Sequence, residues 1–469
     1  SEENARPIFD AFKYVCDVNL CLVLGLEYPP IWQRKLVIMF DLSGYLKKGV
    51  VISLSVKAWT SIASLLTTML LASLLEIGVL GQYFLVFSAV NFIVLLAKFG
   101  NDFIVVREVS KIKDSGVIDF LYVIKLLKIP VMLPVILALL VASFGLSEVV
   151  DVSDEVVYLS LIWAASQASL EIIAQVFKAK LDITLSLING GLLGGILFLA
   201  ILYFGTGQSN LGLYEVIQLQ AICFFVALVL SISMLSVKYS NIHTVSAHVS
   251  IADLYPFIFS ILMFVLIKSD LWIVKYFYGS VEVGIYGAAL RIIVLVNTPL
   301  YIVDSVLSPL IARYHHRGEM LDLERVLRAI STVLFLLGMV LFIFVLLMGP
   351  TFLEVIFGLE YSDAYLPLLI LMAGYWLKLG CGSGGIYLLM TYRAKALAVI
   401  TFMSSFVGIS VSIALTKFGL WGVAVGTVVS LVMQNVIIVK YIKVVDGVRA
   451  YCYYPSKNVI NELRELIKS

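Results

Sequence analysis

The sequence predicts an all-α polytopic membrane protein: about twelve transmembrane helices in two six-helix bundles related by a pseudo-twofold axis along the membrane normal. Three observations carry that expectation. Of 469 residues, 61% are hydrophobic and 14% charged, whereas a soluble domain is about 45–50% apolar and about 25% charged. Apolar stretches long enough to cross the roughly 30 Å hydrocarbon layer recur from Val50 onward. Short motifs of the first half return in the second.

Residues 1–49 are expected to be a cytosolic N-terminal segment. They have no signal-peptide layout, and Tyr28-Pro29-Pro30 breaks any helix there. Met39, followed by Phe40-Asp41-Leu42 and the basic pair Lys47-Lys48, reads as a natural start. Residues 1–38 are therefore read as an extension outside the native protein. The spans that follow are expected at 50–75, 80–99, 119–144, 155–177, 183–205 and 213–236, which form an N-terminal bundle over 50–236. After a cytosolic linker at 237–254, a second set at 255–278, 283–309, 328–349, 364–389, 396–416 and 421–443 forms a C-terminal bundle over 255–443. All must be helices, because a span in lipid has to satisfy its own backbone.

Lys and Arg in the short loops set the orientation. The even-numbered breaks carry Arg107, Lys111, Lys113, Lys178, Lys180, Lys238, Arg313, Arg317, Arg325, Arg393 and Lys395; the odd-numbered ones are acidic or neutral except for Lys417. Both termini are then cytosolic. Leu323, Val326, Leu327 and Ile330 are spaced as an amphipathic helix lying on the membrane, and Val459, Ile460, Leu463, Leu466 and Ile467 repeat the pattern in the tail at 444–469.

The repeat rests on two matches. Gly81 and Tyr83 follow the first span as Gly284 and Tyr286 follow the seventh; Phe177-Lys178-Ala179-Lys180 closes the fourth as Tyr392-Arg393-Ala394-Lys395 follows the tenth. Each half holds an even number of spans, so both enter from the same side and the repeat is parallel.

The functional signal is charge inside spans: Lys57, Lys98, Glu171, Lys268, Asp270, Lys275, Arg291, Asp304 and Lys378. A charge at the centre of a spanning helix costs about 2.5–3.5 kcal/mol on insertion scales, so these residues should face a polar interior. The six bases step through the bilayer. Lys57 and Lys98 lie in the inner half, Lys268 and Lys378 near the middle, and Lys275 and Arg291 toward the outside. Lys268 and Lys275, seven residues apart, share a helix face. Such a ladder suits an anion, because Arg and Lys hold phosphate by charge-assisted hydrogen bonds. Lys98 and Lys57 could instead snorkel to the interface. Glu171, Asp270 and Asp304 are expected to balance charge or couple an ion. Pro299 is expected to act as a hinge, with Pro130 and Pro134 as further kinks. The glycines at 190, 191, 194 and 195 and at 374, 380, 382, 384 and 385 point to close packing or a flexible hinge.

Catalysis finds no support: there is no nucleophile motif, nucleotide loop or metal-ligand spacing. No cofactor, metal or nucleic acid is expected. The five cysteines (Cys16, Cys21, Cys223, Cys381, Cys452) show no paired spacing, and His315-His316 read as a solvated loop rather than a metal site.

The run from Gly279 through Val283-Gly284-Ile285-Tyr286 to Arg291 resembles the signature of Wzx-type polysaccharide flippases of the MOP exporter superfamily. The segment from Phe357 to Ala364 resembles the external stretch before their tenth span, and Tyr392-Arg393-Ala394-Lys395 the turn after it. The resemblance covers roughly residues 39–443. It implies two six-helix bundles around a lumen in the bacterial inner membrane. It also implies a substrate, a polyprenyl-diphosphate-linked O-antigen, capsule or exopolysaccharide repeat unit, flipped by alternating access. A polysaccharide polymerase and a chain-length regulator would then be partners, with membrane lipids around the bundles and H+ or Na+ as coupling ion. Lys268, Lys275, Arg291 and Lys378 are the expected contacts to the anion, with Lys57 and Lys98. The alternatives are a MATE-like cation-coupled multidrug antiporter, which should favour carboxylates in its lumen, and a membrane polysaccharide polymerase, which should carry a large periplasmic loop.

Overall fold

A computed structural model describes residues 44–98, 131–137, 152–179, 182–205, 211–238 and 254–453. All regular structure among them is helical. The first half contains α1 (Gly44–Leu74), α2 (Ile77–Lys98), α3 (Asp154–Ala179), α4 (Ile183–Leu187), α5 (Leu193–Gly205) and α6 (Leu213–Lys238). The second contains α7 (Leu254–Tyr278), α8 (Ser280–Arg317), α9 (Met320–Met348), α10 (Thr351–Phe357), α11 (Tyr365–Cys381), α12 (Gly384–Met390), α13 (Ala394–Ala414) and α14 (Leu420–Asp446). Eleven helices among the described residues are long and apolar enough to cross a membrane, and the chain is a multi-pass membrane protein. Of the expected span at 119–144, only 131–137 are described, and they are helical. Residues 239–253 of the expected linker, the extension 1–38 and the tail beyond 453 lie outside the described residues.

Three local departures from the sequence reading have physical causes. The stretch from Leu323 to Ile330 does not lie apart on a surface. It forms the first turns of α9, because no Gly or Pro interrupts the chain between Met320 and Leu337. Leu323 and Leu327 are buried in a core with Leu307, Ile311 and Tyr387, and Arg325–Asp322 and Arg328–Glu324 pair along the helix. The tenth span is broken into α11 and α12 at Gly382-Ser383. A strap from the end of α14 docks beside this break: Cys452 N–H donates to the Gly380 carbonyl at 2.9 Å, and Ser331 Oγ donates to the Ala450 carbonyl at 3.2 Å. In the fifth span a π-turn at Ile188–Leu192 separates α4 from α5, with Gly191 at φ 100°, a conformation that favours glycine. α8, by contrast, is continuous through Pro299.

The two halves meet chiefly through α2 and α8. At their starts Gly81 lies against the Ser280 carbonyl and Gly284 N, and Gly284 lies against the Ile77 carbonyl, so a side chain at either position would strike backbone. The glycines that mark the internal repeat therefore face each other across the joint between the repeats. Small residues allow this close approach of helices in lipid.

Candidate functional site

The charged side chains divide into three groups by where their helices carry them. At 1.5 Å per residue, Arg291 lies about 16 Å into α8 and Asp304 about 36 Å, so one long helix carries a member of each of the two groups that face cavities.

The first group lines a cavity of about 720 Å³ between α1, α7, α8, α11, α12 and α14, toward the end of the bundles away from the Gly81–Gly284 joint. Lys57, Asp304 and Lys378 are its charged residues. Lys378 is 8% exposed, and its Nζ stands 5.1 Å from the Tyr375 ring centroid and 5.9 Å from that of Tyr301. Lys57 Nζ donates to the Tyr301 carbonyl at 3.4 Å. Both lysines act electrostatically on Asp304, yet neither forms an ion pair with it; the ion pairs among the described residues lie elsewhere. Asp304 Oδ1 is buried without a hydrogen bond of ordinary length and angle, and the neutral Ser383 hydroxyl is the donor that stands beside it. Asn297 Oδ1, two turns earlier on the same face of α8, is another such oxygen. The rest of the wall mixes hydroxyls and amides (Thr60, Ser61, Ser260, Thr298, Ser305, Ser308, Gln434 and Asn435) with apolar side chains such as Phe259, Met263, Leu300 and Ile438.

The second group is Arg291 and Lys268. Arg291 enters a smaller cavity of about 180 Å³ among first-half residues, including Ser64, Thr68, Tyr83 and Gln220. Its guanidinium lies 4.5 Å from the Phe87 ring centroid and 5.2 Å from that of Phe84, and Nη1 donates to Ser64 Oγ at 3.4 Å. Lys268 lines an apolar groove of about 730 Å³ between α2, α7 and α13, with Phe92, Phe264 and Trp272. It is close enough to act on both Arg291 and Asp270.

The third group is engaged locally. Lys98 pairs with Glu171 at 2.8 Å, and Gln167 donates to the same carboxylate at 3.2 Å. Asp270, 1% exposed, accepts from Tyr286 OH at 3.1 Å, Thr427 Oγ1 at 3.4 Å and Leu271 N–H at 2.8 Å. Lys275 Nζ donates to Ser280 Oγ at 2.8 Å at the α7–α8 turn. A seven-residue spacing puts Lys268 and Lys275 on one helix face, but the lower one reaches the groove and the upper one the turn.

Tyr301, Gln434 and Asn435 line the larger cavity, Tyr375 lies under the Lys378 ammonium and Ser383 stands beside Asp304; none of the five was singled out by the sequence reading. The adjacent amides at 434 and 435, inside an apolar span, were the available signal. The tyrosines carried none, since aromatic residues are common throughout the spans. No group of three or more His, Cys, Asp or Glu residues able to hold a metal occurs among the described residues. Cys223, Cys381 and Cys452 are free thiols.

No protein-family model matches the chain, and no curated protein matches it. Solved structures do. The chain is similar to a multidrug resistance MATE family transporter of the MOP superfamily in its outward-facing conformation, with a TM-score of 0.65 at 15% identity over 86% of this chain and 96% of that one. An inward-facing MATE conformation gives 0.62 at 14% identity, covering 82% and 94%. A MOP superfamily transporter from Pyrococcus furiosus, described as having a binding pocket of reverse polarity that suggests a different function, gives 0.61 at 14% identity, covering 86% and 95%. The fold is that of the MATE transporters of the MOP superfamily.

Proposed function

We propose that this chain flips a polyprenyl-diphosphate-linked oligosaccharide repeat unit across the bacterial inner membrane by alternating access, in the service of O-antigen, capsule or exopolysaccharide assembly. One observation carries the reading: the large cavity holds two lysines against one carboxylate, in a wall that mixes hydroxyls and amides with aliphatic and aromatic side chains. Lys57 and Lys378 supply charge-assisted donors for a diphosphate, strengthened where water is scarce. The hydroxyls and the Gln434-Asn435 amides offer the mixed donors and acceptors that sugar hydroxyls require. Arg291, held over two rings, would meet the anion at the next level along α8. Lys268 would stand where the apolar groove meets the charged path, with Asp270 and Glu171 balancing charge and Lys275 and Lys98 set apart from the cavity. With basic loops on the cytosolic side, a cavity remote from the Gly81–Gly284 joint faces inward, ready for a substrate made in the cytosol.

A second reading, a MATE-like cation-coupled antiporter, is supported by the fold likeness. Its cation would have to enter a cavity whose charged groups are two bases and one acid, which repels it.

The test is complementation of surface polysaccharide in a flippase-deficient strain, with protein level followed by blot. A Lys57→Gln, Lys378→Gln double variant should express normally and restore almost no polymer, since each lost charge-assisted contact is worth about 1.5–3 kcal/mol. Full restoration by that variant would remove the anion-binding role.

A further inference from the structure

We infer that Asp304 is the resident counter-ion of the Lys57–Lys378 pair, and that an anionic ligand enters this cavity together with one proton, which the Asp304 carboxylate accepts. The inference rests on the anion reading of the cavity given above. It starts from an incomplete arrangement. Asp304 sits within electrostatic reach of both lysines without closing an ion pair to either. One of its oxygens is buried without a hydrogen bond of ordinary length and angle, and the donor beside it is the neutral Ser383 hydroxyl, which brings no charge. Its negative charge is compensated only at a distance.

The groups facing Asp304 limit what can replace that compensation. From α1 comes Lys57, with Lys178 of α3 acting on Lys57 in turn. From α8 comes Tyr301, and from α11 comes Lys378. α7, α12 and α14 bring serine, methionine, glycine and amide side chains to the cavity and no charge. An anion that engages Lys57 and Lys378 therefore takes the cations that, among the described residues, balance Asp304, and places a second negative charge beside it. An unpaired buried carboxylate neutralises rather than remain charged, and where two anions share a site one of them takes a proton. The step is a single protonation: an O–H bond forms at Asp304, the acid form of the buffer gives up the proton through solvent and is left as its conjugate base, and no bond of the ligand breaks. Transport of the anion then carries a proton in the same direction.

The experiment is isothermal titration of the full chain, in lipid nanodiscs, with geranyl diphosphate. It is run at about pH 8, above the second phosphate ionisation near pH 6, in two buffers of different ionisation enthalpy. The difference in heat counts protons. Wild type should take up about one proton per ligand more than Asp304→Asn, and the variant should bind several-fold more tightly, because its cavity no longer holds a competing anion. Equal proton uptake in the two proteins overturns the inference. Should the variant fail to fold, infrared difference spectra of wild type decide: a new protonated-carboxyl band on ligand addition supports the step, and its absence overturns it. If wild type does not bind the diphosphate, or binds it no better than Lys57→Gln, Lys378→Gln, the anion reading itself fails and this inference falls with it.

Discussion

The two halves of the molecule share a joint and differ in what they place behind it. In the first half Gly81 opens the way to Tyr83, whose hydroxyl donates to the neutral Gln220 at 3.1 Å. In the second, Gly284 opens the way to Tyr286, whose hydroxyl donates to the carboxylate of Asp270 at the same distance. The first half closes its interior charge on itself through Lys98 and Glu171. The second leaves Asp304 and Lys378 without ion pairs beside a cavity to which the first half lends one charge, Lys57, with Thr60 and Ser61. Packing needs explain the repeated Gly and Tyr, which recur in both halves. They do not explain Lys378 or Asp304, which make an interior less stable and appear only where a cavity opens. Charge facing a cavity without an ion pair is concentrated in the second half, which sets Asp304 and Lys378 beside Lys57 of the first.

The largest effect should come from breaking the shared joint. Gly284→Val drives a side chain into the Ile77 backbone, so most of the protein should be lost from the folded peak in fluorescence-detected size exclusion. Gly195→Val, in a first-half helix where a side chain meets nothing within 4 Å, should leave that peak intact. A folded Gly284→Val protein would mean the joint is looser than the structure shows.

A smaller effect should follow at Arg291, the point where a second-half base enters first-half territory. Arg291→Ala should weaken diphosphate binding about ten- to hundredfold, the equivalent of about 1.5–3 kcal/mol. Arg291→Lys keeps the charge but loses the planar fork and its ring stacking, so it should retain part of the affinity. Equal affinity for wild type and Arg291→Ala would confine the anion to the larger cavity.

The smallest effect on function is expected at the Lys98–Glu171 pair. Transport should survive a Lys98→Gln, Glu171→Gln double variant. Lys98→Gln alone should lower the melting temperature more than the double change does, because it strands a half-buried carboxylate. Lost transport with normal expression would move this pair into the working set and erase the contrast between the halves.

The sequence made the architecture legible because lipid imposes length and apolarity on every span. Hydropathy alone located most span bounds to within a few residues. What it could not locate were the interruptions. Gly382-Ser383 and Gly190-Gly191 break helices inside apolar runs, where a glycine cluster reads equally well as close packing. The stretch from Leu323 to Ile330 continues into α9, although its amphipathic spacing matches that of a separate surface helix. The candidate site was legible as a set of residues but not as an arrangement. Lys57, Asp304 and Lys378 stand out as charges in apolar spans, yet they come together from three helices far apart in the chain. Lys98 stands out equally and is instead closed against Glu171. Which bases face a cavity is decided by how helices are rotated against one another, a quantity that periodicity within one helix does not carry.

The central claim is that the second-half cavity holds an anion. It is tested most directly by offering the purified chain two amphiphiles with the same geranyl tail, one ending in a diphosphate and the other in a quaternary ammonium, and measuring equilibrium binding of each to wild type and to Lys57→Gln, Lys378→Gln. The diphosphate should bind wild type and lose about a hundredfold or more in the double variant, at about 1.4 kcal/mol per decade, while the ammonium compound should bind neither well. Tight binding of the ammonium compound to wild type, with the diphosphate excluded, would contradict the account and favour the cation antiporter.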